Sequence, residues 1–231
     1  MRLANANQER VNAMTNYLVM SICGLIGGIL CAVGDVLFDL KGKGNKKLGE
    51  TGNIDSNWLK MPYWRFNASI LIAAVGAPLA AFGMFSLGAQ ISESSTVLGR
   101  ISQVTGFIGS MGCIFIHAYL CLQAIVYKAI MEEDRFQLAE KVLTKLYKAV
   151  IVPFFALYIC LLIPAICSII AIIKGYLDVP MWFVILNPLV FLIIGVLFRA
   201  VNKEVFQDLP GIVMPSLGLG MLGLVGIVNM L

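Results

Sequence analysis

The sequence predicts an all-α fold: a polytopic membrane helix bundle of six transmembrane helices, with the N-terminus and C-terminus both outside. Three observations carry this. Of the 231 residues, 59% are hydrophobic and 13% charged; the mean hydropathy is +0.88; and the Lys and Arg residues fall mostly on one side of the apolar runs. Soluble domains carry about twice that charged fraction, so a water-soluble domain is excluded. Six spans of about 20 residues with short loops use up the length, which leaves a single membrane domain over 1–231.

Continuous apolar windows place the spans near 16–40, 66–90, 104–128, 148–174, 181–200 and 210–230. The first run, from Tyr17 to Leu40, follows Arg2 and Arg10 and so resembles a secretory signal. It is too long, lacks a small-residue cleavage pattern and ends in Asp35, Asp39 and a lysine cluster, so it is retained as a helix, with the mature chain starting near Met1. Counting Lys and Arg gives thirteen in the first, third and fifth loops and four on the other side. The basic side is cytoplasmic by the positive-inside rule, which puts loops 41–65, 129–147 and 201–209 in the cytoplasm of a cell whose plasma (inner) membrane holds the bundle.

The first of these loops opens "KGKGNKK" and closes "WLKMPYWR". No strand precedes it and no G-K-[ST] follows, so it reads as a solvated loop attracted to anionic headgroups, with Trp58, Tyr63 and Trp64 suited to the interfacial belt. "RFQLAEKVLTKLYK" spaces Leu138, Val142 and Leu146 along one helical face, as an interfacial helix or an extension of the fourth span. Small residues recur in "GLIGG", "AAVGAPLAAFG", "GFIGSMG" and "GLGMLGLVG", faces on which helices approach closely in lipid and through which a homo-oligomer could form. All six cysteines lie inside apolar runs without metal-ligand spacing. They read as small buried residues, and no metal, cofactor or nucleic acid is expected.

Charges inside a span cost about 2.5 to 3.5 kcal/mol each near its centre, so the few present carry information. Asp35 and Asp39, in "GDVLFDL", share one helix face at two depths, Asp35 about 6 Å inside the end of the first span. The helix dipole and burial both disfavour an ionised Asp35 unless a cation answers it, and Arg65 is the obvious partner, with Lys41 and Lys43 as competitors. His117, the single histidine, should lie about 10 Å deeper than Asp35, at the level of Pro78, where it could satisfy the carbonyl of Ala74 that Pro78 leaves free. At the Asp35 level lie Gln123, Asn67 and Ser69. Pro153, Pro164, Pro188 and Pro215 are expected to kink or break later helices, and Tyr119, Tyr127, Tyr158 and Asn187 could add polar groups to a central pocket.

"GDVLFDLKGKGNKK", "SNWLKMPYWRFNASI" and the proline-bearing second span resemble an uncharacterised family of bacterial six-span integral membrane proteins. That resemblance implies no activity, and it groups Asp35, Asp39, Trp58, Trp64 and Arg65 on the cytoplasmic side. The pattern Gly112, Phe115, His117, Tyr119 is similar to one in lysoplasmalogenase-like membrane hydrolases. With one histidine this chain lacks the three-histidine metal site of ceramidase-type relatives. Acid hydrolysis of a vinyl ether would instead use Asp35 as the acid, Asp39 as charge stabiliser and His117 as a polar anchor.

The leading expectation is thus a protein that binds a membrane lipid or another amphipathic small molecule in a pocket open to the cytoplasmic leaflet, with lipid hydrolysis as an extension. Asp35, Asp39 and His117 are the candidate catalytic groups, and Trp58, Trp64, Arg65, Asn67 and Gln123 the candidate ligand-binding groups. A proton-coupled small-molecule carrier and a non-catalytic assembly or regulatory subunit are the alternatives.

Overall fold

In lipid every backbone N–H and C=O must find its partner within the segment, so long apolar runs become helices. The computed structural model describes residues 2–212 and 216–231, and Pro215 falls outside them. Its long helices are α1 (Arg2–Asp39), α2 (Tyr63–Ser94), α3 (Thr96–Met131) and α4 (Phe136–Ile173). Each is long and apolar enough to cross a membrane, α1 from Met14 onward. The protein is a multi-pass membrane protein made almost entirely of helix.

Several boundaries differ from those expected. Helix α4 starts at Phe136 rather than near 148 and carries "RFQLAEKVLTKLYK" as its own first turns, with Ala139 and Leu143 fully buried, so this stretch extends the span. Helix α4 also runs through Pro153 and Pro164 without a break. Pro188 does break the chain: a 3-10 turn over Met181–Ile185 precedes it, Asn187 accepts from Leu189 N at 3.0 Å, and helix α5 (Pro188–Val201) begins at the proline, whose missing N–H costs nothing at that position. After α5 come the short helices α6 (Lys203–Phe206) and α7 (Leu209–Ile212), then α8 (Gly218–Val228). At 14 and 11 residues, α5 and α8 are about 21 Å and 17 Å long, less than a hydrocarbon core of about 30 Å.

Helix α2 is central, packed along α1 on one side and α3 on the other, while α4 lies on α3 and α8 lies on α1 and α2. Small residues permit this: a Cβ on Gly24 would come within 2.5 Å of Gly83 Cα, so any side chain there forces α1 and α2 apart. At one end Ser21, Ser86, Gln90 and Asn229 form a closed hydrogen-bond network between α1, α2 and the C-terminal segment. At the other end Phe38, Trp58, Phe66, Tyr127 and Leu143 form an apolar cluster.

The lysine-rich loop is folded rather than solvated throughout. Strands β1 (Lys47–Leu48) and β2 (Ile54–Asp55) pair antiparallel as a small hairpin. Ile54 is fully buried, Glu50 N donates to Glu140 Oε1 at 2.8 Å, and Asn57 Nδ2 donates to the carbonyls of Lys41 and Lys43. Lys43, Lys46 and Lys47 are exposed, whereas Lys41 is buried.

Candidate functional site

A cavity of about 320 Å3 opens between α1, α3 and α4, with the hairpin across one end. Asp39, Lys41, Lys47, Asn53 and Asp55 line that end. Cys31, Asp35, Cys113, His117, Tyr158 and Ser216 line the rest, with Phe38, Trp58, Tyr119, Tyr147 and Phe154 as its aromatic wall.

Helical spacing puts Asp35 one turn above Asp39 on α1, and α3 presents His117 to it. His117 Nδ1 lies 3.2 Å from Asp35 Oδ1, which replaces the separation of about 10 Å expected from helix ends. That expectation assumed that α1 and α3 end in one plane. In the structure α1 stops at Asp39, while α3 continues 14 residues past His117 to Met131 and Lys128 Nζ reaches the Leu59 carbonyl at 2.7 Å, so the hairpin segment fills the step. Asp35 is therefore set against the middle of α3, some 21 Å from its end.

The other partners follow from this placement. Ser216 Oγ donates to Asp35 Oδ2. Ser69 Oγ lies 2.6 Å from His117 Nε2 and 2.7 Å from the Gly34 carbonyl, to which it donates. Cys121 Sγ donates to Ser69 Oγ at 3.6 Å, and the Phe38 ring packs edge-on against the imidazole. Ser69, His117 and Asp35 thus stand in the order of a serine triad, but Ser69 is completely buried, lies off the cavity and is committed to Gly34. With both ring nitrogens taken, His117 does not serve the Ala74 carbonyl.

Arg65 is not the partner of Asp35. Its Nε donates to the Leu37 carbonyl at 2.9 Å, and its Nη2 donates to the carbonyls of Leu40 at 2.9 Å and Val36 at 3.3 Å. The guanidinium answers the negative end of α1 itself, satisfying the Leu37 and Leu40 carbonyls that the helix leaves open. Asp39 is held by Lys41 Nζ at 2.9 Å, and the same ammonium lies 3.4 Å from Asp208 and 3.8 Å from Asp55. Burial pulls the Lys41 ammonium toward neutrality, but the three carboxylates more than offset this and its pKa ends above the ordinary lysine range.

The remaining expected residues divide. Gln123 lines the cavity and donates to Tyr119 Oη. Trp58 lines it too, 2% exposed and packed on Phe38 and Tyr127, and its Nε1–H has no acceptor among the described residues. Trp64 and Asn67 are exposed and off the cavity. Asn187 is a structural residue, donating to the Ala165 carbonyl and Ser168. Ser216 was not anticipated: a serine in a glycine-rich apolar stretch carries no signal until the fold puts it beside Asp35.

The sequence model of a family of unknown function, DUF6796, matches residues 8–231, and the chain belongs to that family. No curated protein and no solved structure matches it.

Proposed function

From this membership, which assigns no activity, we propose that the chain is a membrane protein that binds an amphipathic small molecule, of lipid or lipid-like character, in the cavity between α1, α3 and α4. The observation that carries the reading is the cavity itself. Its volume lies at the small end of ordinary ligand sites, its wall is mostly apolar and aromatic, and a few polar groups converge on it. Trp58 adds a buried donor with no acceptor among the described residues, an arrangement that native interiors rarely tolerate. In the orientation given by the positive-inside rule, the hairpin end faces the cytoplasm. Hydrolysis draws less support, because both Asp35 oxygens and one Asp39 oxygen are already held by protein groups.

The test is native mass spectrometry of the protein purified in a mild detergent. One lipid or detergent molecule per chain is expected on the wild type. It should be absent from Ala73→Phe, in which a ring occupies part of the cavity while the thermal unfolding profile is kept. Equal retention by both proteins would remove the cavity as the site.

A second reading, a proton-coupled carrier, is favoured by one observation: the Asp35–His117 pair lies beside the middle of α3, the depth at which carriers hold their coupling groups.

A further inference from the structure

Hydrogen-bond valence at the Asp35–His117 pair restricts its protons. Ser69 has one hydroxyl hydrogen and two close neighbours that could take it, the Gly34 carbonyl oxygen at 2.7 Å and His117 Nε2 at 2.6 Å. A carbonyl oxygen can only accept, so the hydroxyl hydrogen belongs between Ser69 and Gly34, and the short contact to Nε2 then requires an N–H on the ring. Ser216 supplies the hydrogen on Asp35 Oδ2. One further proton can lie between His117 Nδ1 and Asp35 Oδ1, on either atom. With it the pair is neutral overall; without it the pair carries one negative charge.

Among the described residues, no cation at the cavity is left to answer that charge. Lys41 and Lys47, the lysines that line the cavity, are held by Asp39 at 2.9 Å and Asp55 at 3.0 Å. Arg65 is spent on the end of α1. The other ionisable groups near the pair are Asp39, one turn away on α1 and held by Lys41, and thiols and a phenol: Cys31 on α1, Cys113 and Cys121 on α3, and Tyr158 on α4. None of them supplies positive charge. A lone negative charge in an apolar membrane interior is costly, so it must be covered by a proton or by a bound cation. Aromatic faces, which attract cations, make up much of the wall, Phe154 and Tyr158 being stacked 4.9 Å apart.

We propose that the cavity's ligand is an organic cation with an apolar body, which exchanges with the one movable proton of the Asp35–His117 pair. This rests on the cavity being a ligand site. In the exchange the proton leaves His117 Nδ1 or Asp35 Oδ1 for water, the cation takes its place, and no net charge enters the cavity. A ligand and a proton that compete in this way cannot be bound together, the coupling that an exchanger requires.

The experiment uses three probes on the whole purified chain in neutral detergent: benzyltrimethylammonium, its uncharged isostere neopentylbenzene, and benzenesulfonate. Binding is followed by calorimetry, and proton release by an indicator dye in weak buffer; the quaternary cation has no proton to give, so any released proton comes from the protein. Benzyltrimethylammonium is expected to bind with release approaching about one proton per chain, and with affinity rising about tenfold per pH unit while the pair is loaded. Benzenesulfonate should not bind. Asp35→Asn should lose both binding and release, and the proton release of the wild type stands without that variant. If neopentylbenzene binds as well as the cation and no proton is released, the exchange is wrong and the cavity reading survives. If none of the three binds, both fall.

Discussion

Asp35 shows how a single carboxylate is accommodated inside an apolar helix: His117 takes one oxygen, Ser216 the other, and Ser69 fixes the imidazole from behind. Removing one member strands the next. His117→Ala is expected to lower unfolding stability by about 1 to 3 kcal/mol, because Oδ1 is left buried without its partner. Adding Asp35→Asn should cost less than the two single losses combined, a non-additivity that a double-mutant cycle on thermal or denaturant unfolding in detergent would measure. Full additivity would show that the two side chains do not act as a pair. Lys41 is the second residue of this kind, 5% exposed among carboxylates that are 20%, 3% and 17% exposed. Lys41→Met should destabilise by about 2 to 3 kcal/mol, below the figure for a fully buried pair because Asp39 and Asp208 retain some water. The sign of the pH dependence follows from the raised pKa of Lys41. Its stabilisation is complete below the ordinary lysine value of about 10.4 and is lost only as pH rises through the higher folded value, so the wild-type advantage over Lys41→Met should be constant near neutrality and shrink in strong alkali.

At the scale of elements, the end of α1 depends on another helix. The Leu37 and Leu40 carbonyls lie in its last turn, where the helix offers no i+4 donor, and Arg65 from the first turn of α2 supplies one to each, adding a second to Val36, which already accepts from Leu40 N. Arg65→Met should therefore fray α1 near Asp39, with a stability loss of about 1 to 2 kcal/mol and faster amide exchange over residues 36–40 than in α2. Unchanged exchange there would mean that water replaces the guanidinium without loss. The sequence offered Arg65 as the ion-pair partner of Asp35, and in the structure it binds the carbonyls at the end of α1 instead. Its partner could not be read, because a carboxylate and a row of carbonyls ask for the same positive group. Similarly, Asn187–Pro188 was visible as a break, but whether the chain then crossed as one helix depended on how the 3-10 turn before it packed.

For the whole molecule, the 203–212 segment meets the hairpin end, where Asp208 pairs with Lys41, and Asn229 meets Gln90 at the far end of α2. Helices α5 and α8 together with their short neighbours thus connect the two ends of the bundle, although each of those helices is short. In a cysteine-free background, single cysteines at Lys46 and Lys203 are expected to react with a membrane-impermeant maleimide only from the cytoplasmic face, and one at Leu231 only from the outer face. Labelling of position 203 from the outer face would instead describe a re-entrant pair after α4.

Membrane residence, the helical class and the presence of a costly carboxylate at Asp35 were already legible in the linear chain. They depend on composition, on runs of about 20 apolar residues and on the price of charge in lipid, which are local properties. The pairing of Asp35 with His117, the role of Arg65, the burial of Trp58 and the arrival of Ser216 were decided by tertiary structure. Each depends on where one helix stops relative to another, and such offsets are set by packing between helices and by the hairpin beneath α1, which no single segment encodes.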